Sequence, residues 1–191
     1  MTIKTDYSRF HIHDELTAPA DSAPILEAAS RVGPVAKLIG VLAEAPAALR
    51  ALARARHELR RGHLPRRTRE RIALAVAERR GDTYSLARRA RAARDAGLGL
   101  DEITRARSFQ SADPREQALL SFLEHLLSSE ERPSAHWLEE AREAGWSDAQ
   151  ILEAIAHASL NDFESLVANA AALPQDPTDP KILPEAAPAT G

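Results

Sequence analysis

The chain has 191 residues, of which 44% are hydrophobic and only 4% aromatic, and its formal net charge is −3. This length suits one domain that hides roughly 70% of its unfolded surface. No apolar run approaches the ~20 residues of a membrane span, and no stretch near the N-terminus has signal-peptide character. We therefore expect a cytoplasmic protein with no membrane partner. Because the chain has no Cys, disulfides, thiolate nucleophiles and Cys-ligated metals are excluded.

The two ends of the chain differ from its centre. Residues 1–22 show no helical period and are predicted to form an extended lead-in. Residues 174–191 contain five Pro and are predicted to form a C-terminal tail. Residues 23–173 remain as the predicted domain.

Pro and Gly divide this domain into helix-length pieces. Pro46, Pro65 and Pro114 stand where a first helical turn tolerates Pro, whereas Gly97 and Gly145 follow the ends of predicted helices. Between these residues the apolar spacing is helical, and nothing alternates with period two over a useful length. The sequence therefore predicts an all-α fold with eight or nine helices and no sheet.

A short motif occurs twice. The sequence ARDAGL at 93–98 recurs 48 positions later as AREAGW at 141–146. Each copy is followed by an acidic helix-start signal and another helix. The pattern predicts a weak internal duplication, although two copies are too few for a solenoid.

Charge is concentrated in one segment. Residues 50–94 hold 15 Arg and 4 acids, a local balance of +11, whereas the other residues hold 10 basic and 24 acidic side chains, a balance of −14. Such a segment can bind nucleic acid, or it can pair with acids on other helices or subunits. Because it lacks base-stacking aromatics, we expect that nucleic acid is not the partner.

The segment 65–89 resembles the core of the alkyl hydroperoxidase D / carboxymuconolactone decarboxylase family. Its sequence is PRRTRERIALAVAERRGDTYSLARR. The segments 10–19, 113–120 and 147–154 are similar to the lead-in and later helices of the peroxidase-related branch. The resemblance covers about 150 residues, and the shared order of elements makes it more specific than any one motif. It implies an AhpD-like helical bundle and a homo-oligomer, a trimer or a hexamer.

Departures from the family pattern exclude its thiol chemistry. The resemblance places Glu70 at the position of the family's proton-relay Glu. The two positions of the family's Cys-x-x-Cys pair are occupied by Asp82 and Ser85, and the position of its His by Arg89. An alkoxide is far harder to form than a thiolate, and Ser85 has no His at the family's position to accept its proton. We therefore expect no thiol peroxidase activity.

A different activity remains open at these positions. Asp82, Ser85 and Arg89 share one helix face, and the resemblance places Glu70 beside it. With Tyr84 lining the same hollow, Arg89 could grip a small carboxylate while Glu70 moves a proton. Carboxymuconolactone decarboxylases are the family precedent for such chemistry without a disulfide or a metal. The resemblance therefore suggests a lyase- or decarboxylase-type enzyme without a cofactor.

An inactive alternative is also open. In it, Asp82 only caps a helix, Arg89 pairs with a nearby acid, and the pocket is a remnant. The chain would then be a catalytically inactive member that serves as a structural or regulatory homo-oligomer.

Two further groups of residues are candidates for chemistry. Glu153, His157 and Asn161 recur at intervals of four, so His157 is either a general base oriented by Glu153 or part of the solvated side of an amphipathic helix. His11 and His13 form a His-x-His, but two ligands without a third are weak evidence for a metal. No di-iron or zinc motif and no Gly-rich phosphate loop is present. We therefore predict no metal site.

Overall fold

The computed structural model describes residues 8–31, 33–128 and 134–175. Within these ranges the chain forms nine α-helices and no strand, so the predicted all-α fold is confirmed. Residues 1–7 of the predicted lead-in and 176–191 of the predicted tail lie outside the described residues. None of the described helices combines the length and apolarity that crossing a membrane requires. The helices are α1 Ala23–Ser30, α2 Lys37–Leu42, α3 Pro46–Arg60, α4 Arg66–Arg79, α5 Thr83–Asp95, α6 Leu100–Ala106, α7 Pro114–Ser128, α8 Ala135–Glu143 and α9 Asp148–Ala171.

Helix α4 is the centre of the fold. Every residue from Arg71 to Ala77 is buried, and the helix packs chiefly against α5 and α9. Ile72 and Val76 pack into a cluster with α7 and α9, whereas Leu74 packs on its other side against α5 and α6. Because three of these seven buried residues are Ala, neighbouring helices can approach closely.

A second cluster joins α2, α3 and the C-terminal half of α9. The segment 8–22 carries no helix and runs along this part of the fold. The Arg9 N–H donates to the Ala171 carbonyl at 2.8 Å, and the His13 N–H donates to the Gly40 carbonyl at 3.1 Å. A Cβ at Gly40 would lie 2.5 Å from the His13 carbonyl oxygen, so this close approach requires Gly.

The repeated motif ends two helices in the same way. Gly97 and Gly145 have φ of 84° and 92° and follow α5 and α8. The next residue, Leu98 or Trp146, is buried and donates its N–H back to an Ala carbonyl at 3.0 or 3.1 Å. Both turns have the left-handed Gly and buried apolar residue of a Schellman-type helix end. The motif that occurs twice in the sequence thus forms the same kind of helix C-terminus twice.

Candidate active site

Four helices enclose a cavity of about 510 Å³. Its lining contains six Arg, two Glu and one His, so positive charge predominates in it. The arginines come from α3, α4 and α5, and α9 supplies the His and one Glu. The lining side chains are Arg56, Leu59, Arg60, Arg66, Arg69, Glu70, Ala73, Ser85, Arg88, Arg89, Ala92, His157, Leu160, Asn161 and Glu164.

Glu70 contributes a partly buried carboxyl group, and one of its oxygens has no hydrogen bond. Its Oε2 atom has no hydrogen-bond partner in the described part of the chain and lies 3.9 Å from Nη1 of Arg89. Burial raises the pKa of Glu70, although the charge of Arg89 works in the opposite direction. Glu70 therefore holds a proton more readily than an exposed carboxyl group does.

Glu164 is the second carboxyl group, and its environment is different. It accepts hydrogen bonds from Nε of Arg56 at 2.7 Å and from Nη2 of Arg89 at 3.1 Å. Burial alone would raise the pKa of Glu164, but the hydrogen bond and charge of Arg56, with the charge of Arg89, lower it. Glu164 is therefore the anionic anchor of two guanidinium groups.

Arg89 connects the two carboxyl groups. Besides its contacts with Glu70 and Glu164, its Nη2 atom donates to Oδ1 of Asn161 at 2.7 Å. The guanidinium group is thus held inside the cavity by α9 rather than turned to solvent.

His157 presents a free nitrogen to the same cavity. The side chain is buried, its ring hydrogen-bonds to the backbone of Leu59, and Nε2 has no partner among the described residues. Burial, with the nearby charge of Arg69, lowers the pKa of His157. Its imidazole is therefore held neutral, with Nε2 available to accept or donate a proton according to tautomer.

The polar line on α9 does not face solvent at His157 and Asn161, because both are buried. The solvated alternative is therefore wrong for these two residues. Glu153 faces the turn between α3 and α4, where it accepts the Leu64 N–H at 2.8 Å. Its hydrogen bonds go to this turn rather than to the imidazole of His157.

Asp82 and Tyr84 stand apart from the cavity lining. Asp82 is buried as the N-cap of α5, where its Oδ1 accepts the Ser85 N–H at 2.9 Å. Tyr84 packs in the second core cluster, and its hydroxyl accepts hydrogen bonds from Arg88 and from the Leu38 N–H. The structure therefore brings Glu70, Ser85, Arg89 and His157 together in the cavity lining. Asp82 and Tyr84, which the sequence analysis placed among the site residues, lie outside that lining.

His11 and His13 lie outside this cavity lining. His13 contacts the Thr17 carbonyl at 2.8 Å and Oε2 of Glu44 at 2.7 Å, and the ring of His11 packs edge-on against it. Across the described ranges, no group of three or more potential metal ligands is found.

Glu164 and Arg56 are the main site residues that sequence reasoning missed. A signal existed for Glu164, because it follows His157 and Asn161 at the spacing of one helix face. For Arg56 the sequence offered only its place in an Arg-rich segment.

Comparison with known proteins identifies the central segment. The sequence model of the carboxymuconolactone decarboxylase family matches residues 44–125. This part of the chain, less than half of its length, is thus similar to that family. The resemblance inferred from the sequence is thereby confirmed. The matched segment contains Glu70, Ser85 and Arg89, whereas His157 and Glu164 lie beyond it on α9.

Solved structures show the same fold. One is a peroxidase-related protein from Ralstonia eutropha JMP134, described as an alkylhydroperoxidase AhpD core, with a TM-score of 0.76 and 20% identity over 89% of this chain and 93% of that chain. Another is a peroxidase-related protein from Silicibacter sp. TM1040, with a TM-score of 0.77 and 19% identity over 94% of this chain and 97% of that chain. Comparison with curated proteins finds no match. The chain therefore has an AhpD-like fold, but without the cysteines that a dithiol peroxidase requires.

The raised pKa of Glu70 gives a testable dependence of stability on pH. As pH rises, Glu70 ionises first in the unfolded chain, so the stability associated with its protonated form is lost as pH passes through the folded-state pKa. Glu70→Gln cannot ionise. We expect this variant to be more stable than the parent at pH 8, with the difference closing towards pH 4, in urea unfolding followed by circular dichroism. An equal difference at both pH values would contradict the burial argument.

Proposed function

We propose that this chain binds a small carboxylate in the arginine-lined cavity and acts on it by acid–base chemistry of the lyase or decarboxylase type, without a cofactor. The observation that supports this most strongly is that Glu70 and His157 line the same cavity with unsatisfied polar atoms. Glu70 is partly buried and His157 is buried, and each has one buried polar atom without a hydrogen-bond partner in the described part of the chain. Unpaired buried polar atoms are costly, so a substrate that pairs with them would bind favourably.

The charge of the cavity favours an anionic substrate. With both Glu ionised, six Arg leave a formal balance of +4. Arg56 and Arg89 share Glu164, whereas no direct ion pair is found within the described ranges for Arg60, Arg66, Arg69 or Arg88. Guanidinium groups bind carboxylates through paired, charge-assisted hydrogen bonds. A substrate carboxylate would therefore relieve the repulsion among these arginines.

The two titratable groups are suited to proton transfer. Burial raises the pKa of Glu70 and lowers that of His157, so Glu70 holds a proton more readily, and His157 stays neutral more readily, than the same groups in water. When a carboxylate leaves as CO₂, the electron pair of the broken C–C bond passes into an adjacent unsaturated carbonyl as an enolate. Guanidinium groups would stabilise the enolate oxygen, and protonated Glu70 would deliver a proton to the carbon. Neutral His157 would accept or return protons at Nε2.

A two-stage experiment tests this proposal. The first stage measures thermal shifts with acetate, malonate, succinate and unsaturated lactone acids, with the corresponding amides as uncharged controls. We expect stabilisation by carboxylates only. The second stage follows CO₂ release and ultraviolet absorbance of each bound compound, with Glu70→Gln and His157→Asn as variants. Both variants should keep binding and lose turnover. Failure of every carboxylate to stabilise the chain would overturn the proposal.

The inactive alternative gives a different outcome in the same experiment. Carboxylate binding without turnover across the panel would favour a structural or regulatory homo-oligomer that senses a small anion. The open cavity and its two unpaired buried atoms favour a ligand-binding site over a remnant, because buried polar groups left without a partner cost stability.

A further inference from the structure

The arginines that line the cavity fall into groups that differ in exposure and in partners. Arg56 and Arg89 are partly buried, and both bind Glu164. Arg60 and Arg66 are exposed, and neither pairs with an acid among the described residues. Exposed lining residues mark the side on which a cavity meets solvent. We therefore call Arg60 and Arg66 the mouth arginines.

The mouth arginines lie at one end of the cavity. Arg60 ends α3, one helical turn after Arg56, and Arg66 begins α4, one turn before Glu70. Because α3 and α4 are joined by the short segment 61–65, both steps lead towards the same turn. Four residues correspond to about 6 Å along a helix. The mouth arginines are therefore displaced by about that distance from the inner carboxyl and guanidinium groups.

The first turn of α4 adds to the positive charge at the mouth. It contains Arg66, Arg67 and Arg69 and no acid, and it follows Pro65 without a side-chain cap. The N-terminal end of a helix already carries partial positive charge, so anions are favourable there and cations are not. An anion bound at the mouth would compensate both the guanidinium groups and the helix end.

The interior of the cavity gives an independent reason to expect a ligand larger than acetate. His157 is only 8% exposed, and its Nε2 atom has no hydrogen-bond partner in the part of the chain that the structure describes. The cavity volume of about 510 Å³ lies within the roughly 300–1,000 Å³ of pockets that hold drug-sized ligands. A carboxylate beside Arg89 would fill only part of this space, so the mouth remains for a second group of the same ligand.

A second carboxylate and a phosphate are the two anionic groups to compare at the mouth. With both Glu ionised, the six Arg of the lining leave a formal balance of +4. A dicarboxylate would reduce this balance to about +2, whereas a carboxylate with a phosphate, which carries about −1.5 to −2, would reduce it to about +1. A phosphate also offers three acceptor oxygens, which suit guanidinium groups and the free N–H groups of a helix N-terminus. The charge and the donors at the mouth therefore favour a phosphate.

We propose that the substrate is a carboxylate with a phosphate group at its other end, and that Arg60 and Arg66 bind the phosphate at the mouth. This inference rests on the proposed function for the inner carboxylate and adds the class of substrate. The two anionic groups must be separated by about the 6 Å of one helical turn. With carbon–carbon bonds of about 1.5 Å, a chain of about four methylene groups spans that distance.

The first test compares ligands that differ only at one end, by titration calorimetry at constant ionic strength. The probes 5-phosphonopentanoate, adipate and pentanoate carry a phosphonate, a carboxylate or a hydrogen at the end of the same chain. We expect the phosphonate to bind at least roughly tenfold more tightly than adipate, because it adds charge-assisted hydrogen bonds. Phosphonoacetate should have no such advantage over malonate, since its single methylene group is too short to reach from the inner arginines to the mouth.

The second test locates the phosphonate with matched variants of the full chain. In Arg60→Met and in Arg66→Met, the advantage of 5-phosphonopentanoate over adipate should fall to roughly threefold or less. The control is Arg61→Met, because Arg61 is exposed in the same turn but is not part of the cavity lining. This control should keep the advantage of the parent, and helical circular dichroism should be the same in all four proteins.

Two outcomes would overturn the inference. Equal affinities of the parent for 5-phosphonopentanoate and adipate would show that the mouth does not select a phosphate. Equal loss of the advantage in Arg61→Met and Arg66→Met would show that the attraction comes from the general charge of the turn.

Pentylphosphonate separates this inference from the proposed function, because it carries no carboxylate. If pentanoate binds and a phosphonate adds no affinity, the phosphate site is wrong and the proposed function stands. If pentylphosphonate binds and requires Arg66 while pentanoate does not bind, the proposed carboxylate site is wrong and the phosphate site stands.

Discussion

Replacing Glu164 by Gln is expected to lower the free energy of unfolding by about 2 kcal/mol. Glu164 is only 4% exposed and compensates two guanidinium groups, those of Arg56 and Arg89. Gln preserves the shape but removes the charge, so both cations remain beside other arginines without their shared anion. Breaking a fully buried pair costs about 3–5 kcal/mol, and we expect less here because both guanidinium groups are partly exposed. Urea unfolding at pH 7 measures the difference.

Asp162→Asn is the matched control for this prediction. Asp162 lies two residues earlier on the same helix and pairs with Arg80, which is more exposed than Arg56 or Arg89. Exposed pairs contribute about 0–1 kcal/mol. Malonate should recover part of the stability lost in Glu164→Gln, because a bound anion replaces the missing charge. Equal losses in the two variants would show that Glu164 has no special place in the cavity.

Arg89→Met should weaken carboxylate binding by roughly 10–100-fold, since a hydrogen bond to a charged group contributes about 1.5–3 kcal/mol. Arg89 lies between Glu70 and Glu164 and is fixed by Asn161. It is therefore the arginine that can hold a substrate beside the carboxyl group of Glu70. Titration calorimetry with the carboxylate that gives the largest thermal shift measures the loss.

Arg88→Met is the comparison. Arg88 also lines the cavity, but its guanidinium group donates to the hydroxyl of Tyr84 and lies 5.4 Å from the centre of that ring. We expect less than a roughly threefold change in affinity, because Arg88 acts at longer range. Equal weakening by both substitutions would indicate a diffuse attraction rather than a defined site.

The fold was predictable because its helix boundaries are local. Pro46 and Pro114 begin α3 and α7, and Gly97 and Gly145 adopt the left-handed conformations that end α5 and α8. These residues act through their own backbone geometry, so no tertiary information is needed to interpret them. The repeated helix C-terminus could be predicted from the sequence for the same reason.

The cavity was predictable only in part. Glu70, Ser85 and Arg89 follow from a family resemblance, and His157 from its residue type on an apolar helix. The anchoring of Arg89 by Glu164 depends on how α9 is rotated against α5, which propensity and spacing do not determine. Tyr84 and Ser85 are neighbours in sequence, yet Tyr84 packs in the core while Ser85 lines the cavity. A difference of one residue turns a side chain by about 100° around a helix.

The contact between Gly62 and Glu153 limits which substitutions the turn between α3 and α4 accepts. The carboxylate of Glu153 lies so near Gly62 that a Cβ there would be 2.6 Å from its Oε2 atom. A larger residue at position 62 therefore requires the carboxylate of Glu153 to move. The same carboxylate holds the Leu64 N–H just ahead of α4. Positions 62 and 153, far apart in the chain, are thus coupled, because moving the carboxylate away from position 62 would also disturb its hydrogen bond at the entry to α4.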